Sequence, residues 1–584
     1  MSKSNRKISK VLVISLLALV TSNIFVFFLI TPTFGQSSNP KNILLISKGN
    51  DELFVQSLRI DQCNFNISRV SDSEPITSIG SWIDVVILFD VQFNSSKQQI
   101  ISNFVDTGGA AIVFMGQNLH DNATLIDELG VIDNSIFKAL KSKNQDKNQE
   151  IMLSIVYNSS YSISKNIDWN SAPEMKINNM TIFSNITVSS LDPLAKKIVD
   201  VYPTSKNLQI DLFRQPLIVE RVKGNGKVIL FSGWLETNAN LDFKVWPYFN
   251  YLLYGLIFES LDLTFQAFPL WPYSPVPHFL DQLIIGIIVI ILAILAIALF
   301  VVVKKKSRAG IDQQTIEVLK IKAEEEERKK LEEIEALEKR LEEQVDLKDD
   351  WEVIGVHRQL GGFLFTLILG LILVIPQLLV SNFIMPQFIQ PYPQAAGWYN
   401  YAYNFFQIVW ILFDFGTSFA LAKYFAQHRV KNPEKAIHYI QIYVWWQIFT
   451  GIIQVSLIAF IGSFIFPYTN LAHMSWIFIV YSFVQYPGVF LVFMFTFQGM
   501  QRSDYYLILY IAWEVVFLLV GQVIFCYIGR IWGAANPIFG EALGAGIGYA
   551  IARCFDYWMT FIISILIFRK QGFSPKSCFR IDFS

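Results

Sequence analysis

Charge is scarce in this chain. Asp, Glu, Lys and Arg make up 16% of its 584 residues and sum to a net charge of −1. An ordinary soluble protein carries about 25%. No global basic field exists to attract nucleic acid, and none is expected as a partner. Cysteine is scarcer still. Cys63, Cys526, Cys554 and Cys578 show no CxxC spacing, which excludes a zinc site or a disulfide framework. No P-loop, catalytic triad, metal cluster or deaminase motif occurs, so no catalytic residue, metal or cofactor is expected and the chain is read as a non-enzyme. Apolar residues are what it has in plenty, at 53%.

The apolar residues lie in runs. Lys3, Arg6, Lys7 and Lys10 precede an apolar stretch from Val11 to Ile30. Residues 1–31 therefore read as a signal anchor or a cleaved signal peptide. A second run at 283–303 ends in Lys304-Lys305-Lys306-Ser307-Arg308, which marks the cytoplasmic side. Six more spans are expected at about 360–380, 402–422, 438–466, 474–497, 505–528 and 543–568, each long enough for a bilayer at 1.5 Å per residue. The loops assigned inside carry Lys423, Arg429, Lys431, Lys435 and Arg502, and the tail carries Arg569, Lys570, Lys576 and Arg580. The outer loops, Pro386–Asn400, Pro467–His473 and Gly529–Gly540, carry only Arg530. The positive-inside count thus predicts a multi-pass cell-membrane protein with residues 32–280 extracytoplasmic. The sequons at Asn66, Asn94, Asn122, Asn158, Asn179 and Asn185 all fall in that segment, as exposure requires.

Residues 40–265 read as an exported α/β, Rossmann-like domain. Strands are expected at Ile43–Ser47, Asp84–Phe89 and Ala110–Met115, and a helix at Ser96–Val105. Pro216–Val219 and Lys227–Ser232 flank Gly224-Asn225-Gly226 as a hairpin. Continuous apolar strands between helices predict a mostly parallel sheet covered on both faces. The Asp84–Asp90 strand, the run Phe104–Gly116 and the Gly-Asn-Gly-Lys-Val-Ile-Leu-Phe-Ser stretch resemble the class I glutamine-amidotransferase-like fold, in particular its non-catalytic membrane-anchored members. Catalytic members place a cysteine on the turn after a strand. Here Gly116-Gln117-Asn118 holds no nucleophile, Cys63 follows no such strand, and His120 and Asp121 are neighbours rather than a dyad. The resemblance therefore implies a binding or assembly module.

Residues 304–357 form a charged cytoplasmic bridge. Ala323–Val345 is rich in helix formers, with acid-first pairs such as Glu325–Lys329 and Glu335–Lys339 four apart. Leu331, Ile334, Leu337, Leu341 and Val345 give about two heptads, fewer than a coiled coil needs. A solvated helical spacer and a dimerising coiled coil both remain open.

The six spans, residues 358–570, form the C-terminal lobe, with a cytoplasmic tail at 571–584. Ionisable groups inside spans line a wet path or pair with one another. Arg553 and Asp556 are three apart on the last span, Glu514 lies in the preceding one, and Asp414 and Lys423 sit near a cytoplasmic end. These five are the candidate substrate-path residues. The alternative is structural: Arg553 pairs with Asp556 or Glu514, Asp414 caps a helix, and Lys423 snorkels. Gly544, Gly548 and Ala552 recur every four residues, a face small enough for close helix contact.

Several motifs of this lobe, in order, resemble the amino-terminal half of Wzx-like oligosaccharide flippases, of the multidrug and polysaccharide exporter superfamily. They are Gly397-Trp398-Tyr399-Asn400, Phe413-Asp414-Phe415-Gly416-Thr417, Lys423-Tyr424-Phe425-Ala426-Gln427, Asn432-Pro433-Glu434-Lys435, Phe497-Gln498-Gly499 and Glu541–Ala550. The resemblance spans about residues 358–580 and implies a lipid-linked oligosaccharide as cargo. It also implies a second six-span lobe, supplied by another polypeptide, by a second copy, or by a longer chain. The resulting expectation is a transporter of polysaccharide biosynthesis. The other reading is a membrane scaffold or sensor whose exported domain binds a ligand or partner.

Overall fold

The computed structural model describes residues 40–133, 151–203, 215–291 and 356–579, with short gaps inside these ranges, and scattered positions between 294 and 335. The expected N-terminal anchor, Cys63 and most of the charged bridge lie outside the described residues.

Among the described residues nine strands form one sheet: β1 Lys41–Ser47, β2 Phe65–Ser71, β3 Val85–Phe89, β4 Ala110–Phe114, β5 Ile151–Tyr157, β6 Met175–Ile177, β7 Lys196–Pro203, β8 Gln215–Lys223 and β9 Gly226–Phe231. Their order is β2-β1-β3-β4-β9-β8-β7-β5-β6. From β2 to β9 neighbours run parallel, and from β9 to β6 antiparallel. The expected parallel sheet is thus one half of a mixed sheet. Its parallel half has the order 2-1-3-4-9, which is the 2-1-3-4-5 pattern of doubly wound α/β folds with β9 in the fifth place.

Side chains along the parallel strands alternate between two buried faces, as a period of two demands. Leu45, Ile87, Ile112 and Ile229 enter one core, with Phe54 and Leu58 of α1 (Glu52–Leu58) and most of α4 (Phe249–Ser260). Ile46, Leu88, Val113 and Leu230 enter the other, with Ile101 and Val105 of α2 (Ser95–Asp106) and Leu125 and Ile126 of α3 (Thr124–Glu128). Asn94 caps α2, accepting the Lys97 N–H at 3.0 Å. The β8–β9 turn needs Gly224: its φ is +55°, and a Cβ there would meet the Asp106 backbone at 2.7 Å. Asn66, Asn94 and Asn122, the sequon asparagines within the described residues, are all exposed.

Among its described residues the C-terminal lobe is built of helices and the turns between them. After α5 (Leu280–Ile291) it comprises α6 Val356–Leu379, α7 Pro393–Asp414, α8 Thr417–His428, α9 Pro433–Phe460, α10 Ser475–Ser482, α11 Pro487–Phe490, α12 Val492–Gly499, α13 Ser503–Ile511, α14 Leu518–Ala535 and α15 Gly540–Lys570. Among the described residues four helical stretches are long and apolar enough to cross a membrane: Leu367–Ile389, Pro433–Tyr468, Asp504–Ala535 and Gly540–Lys570. The pair α7 and α8, bent by 45°, makes a fifth if taken as one span. The six expected spans are therefore not all reproduced as single helices. The region 474–497 is divided into α10, α11 and α12, with Pro487 opening α11. Proline has no N–H to donate and its ring blocks the preceding turn, so a helix breaks there.

The lobe is apolar outside. Ile375, Ile411 and Phe419 are 71%, 65% and 74% exposed, an arrangement that suits a lipid surround. α14 and α15 meet backbone to backbone. A Cβ on Gly529 would collide with the Gly544 carbonyl oxygen, one on Gly548 with that of Phe525, and one on Gly521 would lie 3.1 Å from that of Ala552. The small-residue face expected at Gly544, Gly548 and Ala552 is this contact.

The two regions touch at one end of the lobe. Asn250 donates to the Pro537 carbonyl at 3.0 Å, Gln394 to that of Asp242 at 2.8 Å, and Gln282 of α5 to that of Ser463 at 2.9 Å.

Candidate functional site

The five candidate residues fall in three places. Arg553 of α15 is the centre of the first. Its 12-residue distance from Glu541 puts it about 18 Å along the helix, well inside the span. One turn on, at i+3, Asp556 shares its face and accepts from Arg553 Nη1 at 2.8 Å. Glu514 takes the other edge of the fork, with Nη2 to Oε1 at 2.9 Å and Nη1 to Oε2 at 3.3 Å. Glu514 lies in the π-helical turn Ala512–Phe517 between α13 and α14. Such turns displace the side chains that follow by part of a turn and recur at functional sites.

Three aromatic rings complete the surround. The guanidinium carbon lies 5.4 Å from the Tyr403 ring centre, 5.2 Å from Trp513 and 5.3 Å from Tyr557, within cation–π range. Arg553 is 1% exposed and Asp556 0%, whereas Glu514 is 26% exposed. Arg553 Nε and Asp556 Oδ1 are buried with no hydrogen-bond partner. Both pairings expected as alternatives are thus present at once. The cluster holds two carboxylates and one guanidinium, and Glu514 is its open edge.

Asp414 is elsewhere. The chain turns between α7 and α8 through Phe415 and Gly416, with φ of +48° and +72°. Asp414 ties this corner. Its Oδ1 accepts from Thr417 Oγ1 at 2.8 Å, Ser418 Oγ at 2.8 Å and Gln447 Nε2 at 2.7 Å. All three are side-chain donors, so Asp414 ties α8 and α9 to the corner through their side chains, and the N-cap of α8 itself is Gly416. Lys423 is exposed on α8, 5.9 Å from the Tyr424 ring centre. Neither residue meets Arg553 among the contacts of the described residues.

The end of the lobe that meets the sheet domain holds a further polar knot. Glu541 Oε2 accepts from Arg530 Nε at 2.8 Å and from Tyr392 Oη at 2.6 Å, and Arg530 also donates to the Phe388 carbonyl at 3.2 Å. Sequence reasoning marked Arg530 only as a loop charge. Its acid partner 11 residues on, across a turn, gave no periodic signal.

In the sheet domain, His120 is buried edge-on to Trp234, ring centres 5.3 Å apart, and Asp121 accepts from Gln117 Nε2 at 2.7 Å. Asp90, at φ +43°, accepts from the Leu119 N–H at 3.0 Å and from Asn118 Nδ2 at 2.6 Å. No group of three or more metal-ligating side chains occurs among the described residues.

No curated protein matches this chain. Solved structures match a part of the chain slightly. A cytoplasmic protein from Salmonella typhimurium is 13% identical at a TM-score of 0.28, over 37% of this chain and 98% of its own. A ThuA-like protein from Parabacteroides merdae is 11% identical at 0.25, over 39% and 92%. An exo-beta-1,4-mannosidase from an Opitutaceae bacterium is 13% identical at 0.23, over 39% and 37%. Likeness of this degree carries no functional argument. The lobe is better placed. Residues 364–577 match the family described as polysaccharide biosynthesis protein, so this lobe is similar to the membrane region of that family, and its long apolar helices support a multi-pass membrane protein.

Proposed function

We propose that the chain serves the export step of polysaccharide biosynthesis, its lobe moving or helping to move a lipid-linked oligosaccharide across the membrane. The role is transport, not catalysis. The α/β domain lies on the extracytoplasmic side as a non-catalytic binding or assembly module of the glutamine-amidotransferase-like type. The observation that carries this reading is the mid-span Arg553–Glu514–Asp556 cluster inside the family-matched lobe. Charge so placed is costly unless it serves a path or a partner. A pyrophosphate headgroup suits a planar guanidinium fork. Glu514, the exposed member, would yield its edge of the fork to that headgroup, with the rest of the path supplied by a second lobe or a second copy.

The test is translocation of a lipid-linked oligosaccharide by membrane vesicles carrying the full chain. Arg553→Lys keeps the charge and loses the fork. Transport should fall at least tenfold while the protein still folds and inserts. A stable Arg553→Lys protein with full transport would overturn the substrate role. The scaffold reading has one observation in its favour, the packing of the α/β domain on the lobe. Under it, no vesicle preparation would move the lipid.

A further inference from the structure

The contacts of the sheet domain with the lobe fall on segments that charge assigns to one side of the membrane, and Gln282 of α5 meets Ser463 beside one of them. Gln394 lies in the 386–400 segment, Pro537 in 529–540, and His473 in 467–473. His473 is the centre of this joint. Its ring stands 5.8 Å from the Tyr248 ring of the sheet domain and 5.6 Å from the Trp398 ring of α7. It is 4% exposed, and its Nδ1 is buried without a hydrogen-bond partner. Apolar groups cross here in both directions. Val245 of the sheet domain joins the lobe core, and Ala472, next to His473, joins the sheet-domain core.

This imidazole is buried with an unpartnered nitrogen and no carboxylate against it, so burial favours its neutral form. A charge there would be buried without a counter-ion. We propose that His473 is the key of a docking joint between the α/β domain and the outer loops of the lobe, and that acid on that side releases the domain. Release exposes the joint to water, where the imidazole regains its ordinary surroundings.

The titratable groups on the elements packed round the joint are Tyr248, Asp168, Asp242 and Lys244 on one side, and Tyr392 with the Arg530–Glu541 pair on the other. None of them is a cause of the His473 shift. Burial alone pushes its pKa down, from 6.5 to about 4. The sign follows. The docked state has the depressed value, so docking is at full strength above about 6.5 and weakens as pH falls from there toward 4. Between pH 8 and pH 5 the docking equilibrium should weaken about 30-fold.

The test uses the full chain in lipid nanodiscs, spin-labelled at two exposed positions, Asn94→Cys and Tyr468→Cys, in a Cys63→Ser background. Pulsed dipolar spectroscopy reads the distance between the regions. At pH 8 one distance should dominate. At pH 5 a longer, broader population should appear, with the released-to-docked ratio up about 30-fold. His473→Phe and His473→Gln, which cannot ionise, should remove this pH response, and Tyr248→Ala should loosen the joint at both pH values. Identical distributions at pH 8 and pH 5 in the unsubstituted protein would overturn the proposal. So would a full response in either His473 variant.

Discussion

The α/β domain and the helical lobe both bury apolar side chains, but only the lobe also turns a broad apolar surface outward, around an ion cluster held deep inside. In the domain, Leu45, Val86, Val113 and Leu230 are all 0% exposed. In the lobe, Arg553 and Asp556 are inside while Ile411 and Phe419 face out. One rule gives both results, because the solvent differs. Water drives apolar side chains inward. Lipid has no such preference, so helices associate through close backbone packing and polar pairing, and charge moves to where partners exist. Gly529 against Gly544 and Arg553 against Glu514 are those two devices. An α/β core is specified by the alternation of its strands, and this lobe by a few small and charged positions.

The sharpest way to break that comparison is Arg553→Ala. It leaves Glu514 and Asp556 together with no cation, and should cost about 3–5 kcal/mol. Thermal unfolding in detergent, followed in the lobe, reads this. No loss of stability would mean that the cluster does not hold the lobe. Next is a substitution in the sheet. Leu45→Ala should cost about 2–5 kcal/mol, read by unfolding of the sheet domain with lobe unfolding unchanged. Simultaneous loss of both would show one cooperative unit. Third is Gly548→Ala. One methyl placed against the Phe525 carbonyl should cost about 1–3 kcal/mol by overpacking, a large effect for so small a change. Stabilisation instead, as glycine to alanine gives in an ordinary helix, would show that the two helices have room to part.

Much of this was legible in the sequence. The continuous apolar runs of the parallel strands, the hairpin at Gly224 and the small-residue face of the last span all follow from local pattern. What was missed has physical reasons. β2, with the sequence FNISRVS, is an edge strand whose polar residues mask its period. α4 is apolar on all sides, so it shows no amphipathic repeat. The region 474–497 has the apolar length of a span, but Pro487 divides it. His473 is one histidine in a loop, and both of its ring contacts come from distant segments. For Arg553 the charges were legible as a group, but that it meets both acids at once was not, because Glu514 sits in a π-helical turn that has no sequence mark.

Asp414 sharpens the comparison from the other side, because it departs from it. It is a buried carboxylate of the lobe, yet it resembles Asp90 of the sheet domain more than Asp556. Both Asp414 and Asp90 hold a corner where the backbone has positive φ, and both accept hydrogen bonds from neutral donors. Asp414 needs no cation to be satisfied, and its three good bonds all end on Oδ1. Oδ2 receives only the Ser418 N–H, at 3.5 Å, which is at the limit of a hydrogen bond. An asparagine could place its single oxygen where Oδ1 stands and lose little. Asp414→Asn should therefore cost under about 1 kcal/mol, the worth of one ordinary hydrogen bond, and leave vesicle transport near its full value. Asp414→Leu, which strands Thr417, Ser418 and Gln447 together, should cost several times more. Asparagine that folds normally but abolishes transport would return Asp414 to the substrate path, and the corner would then be one part of the moving machinery.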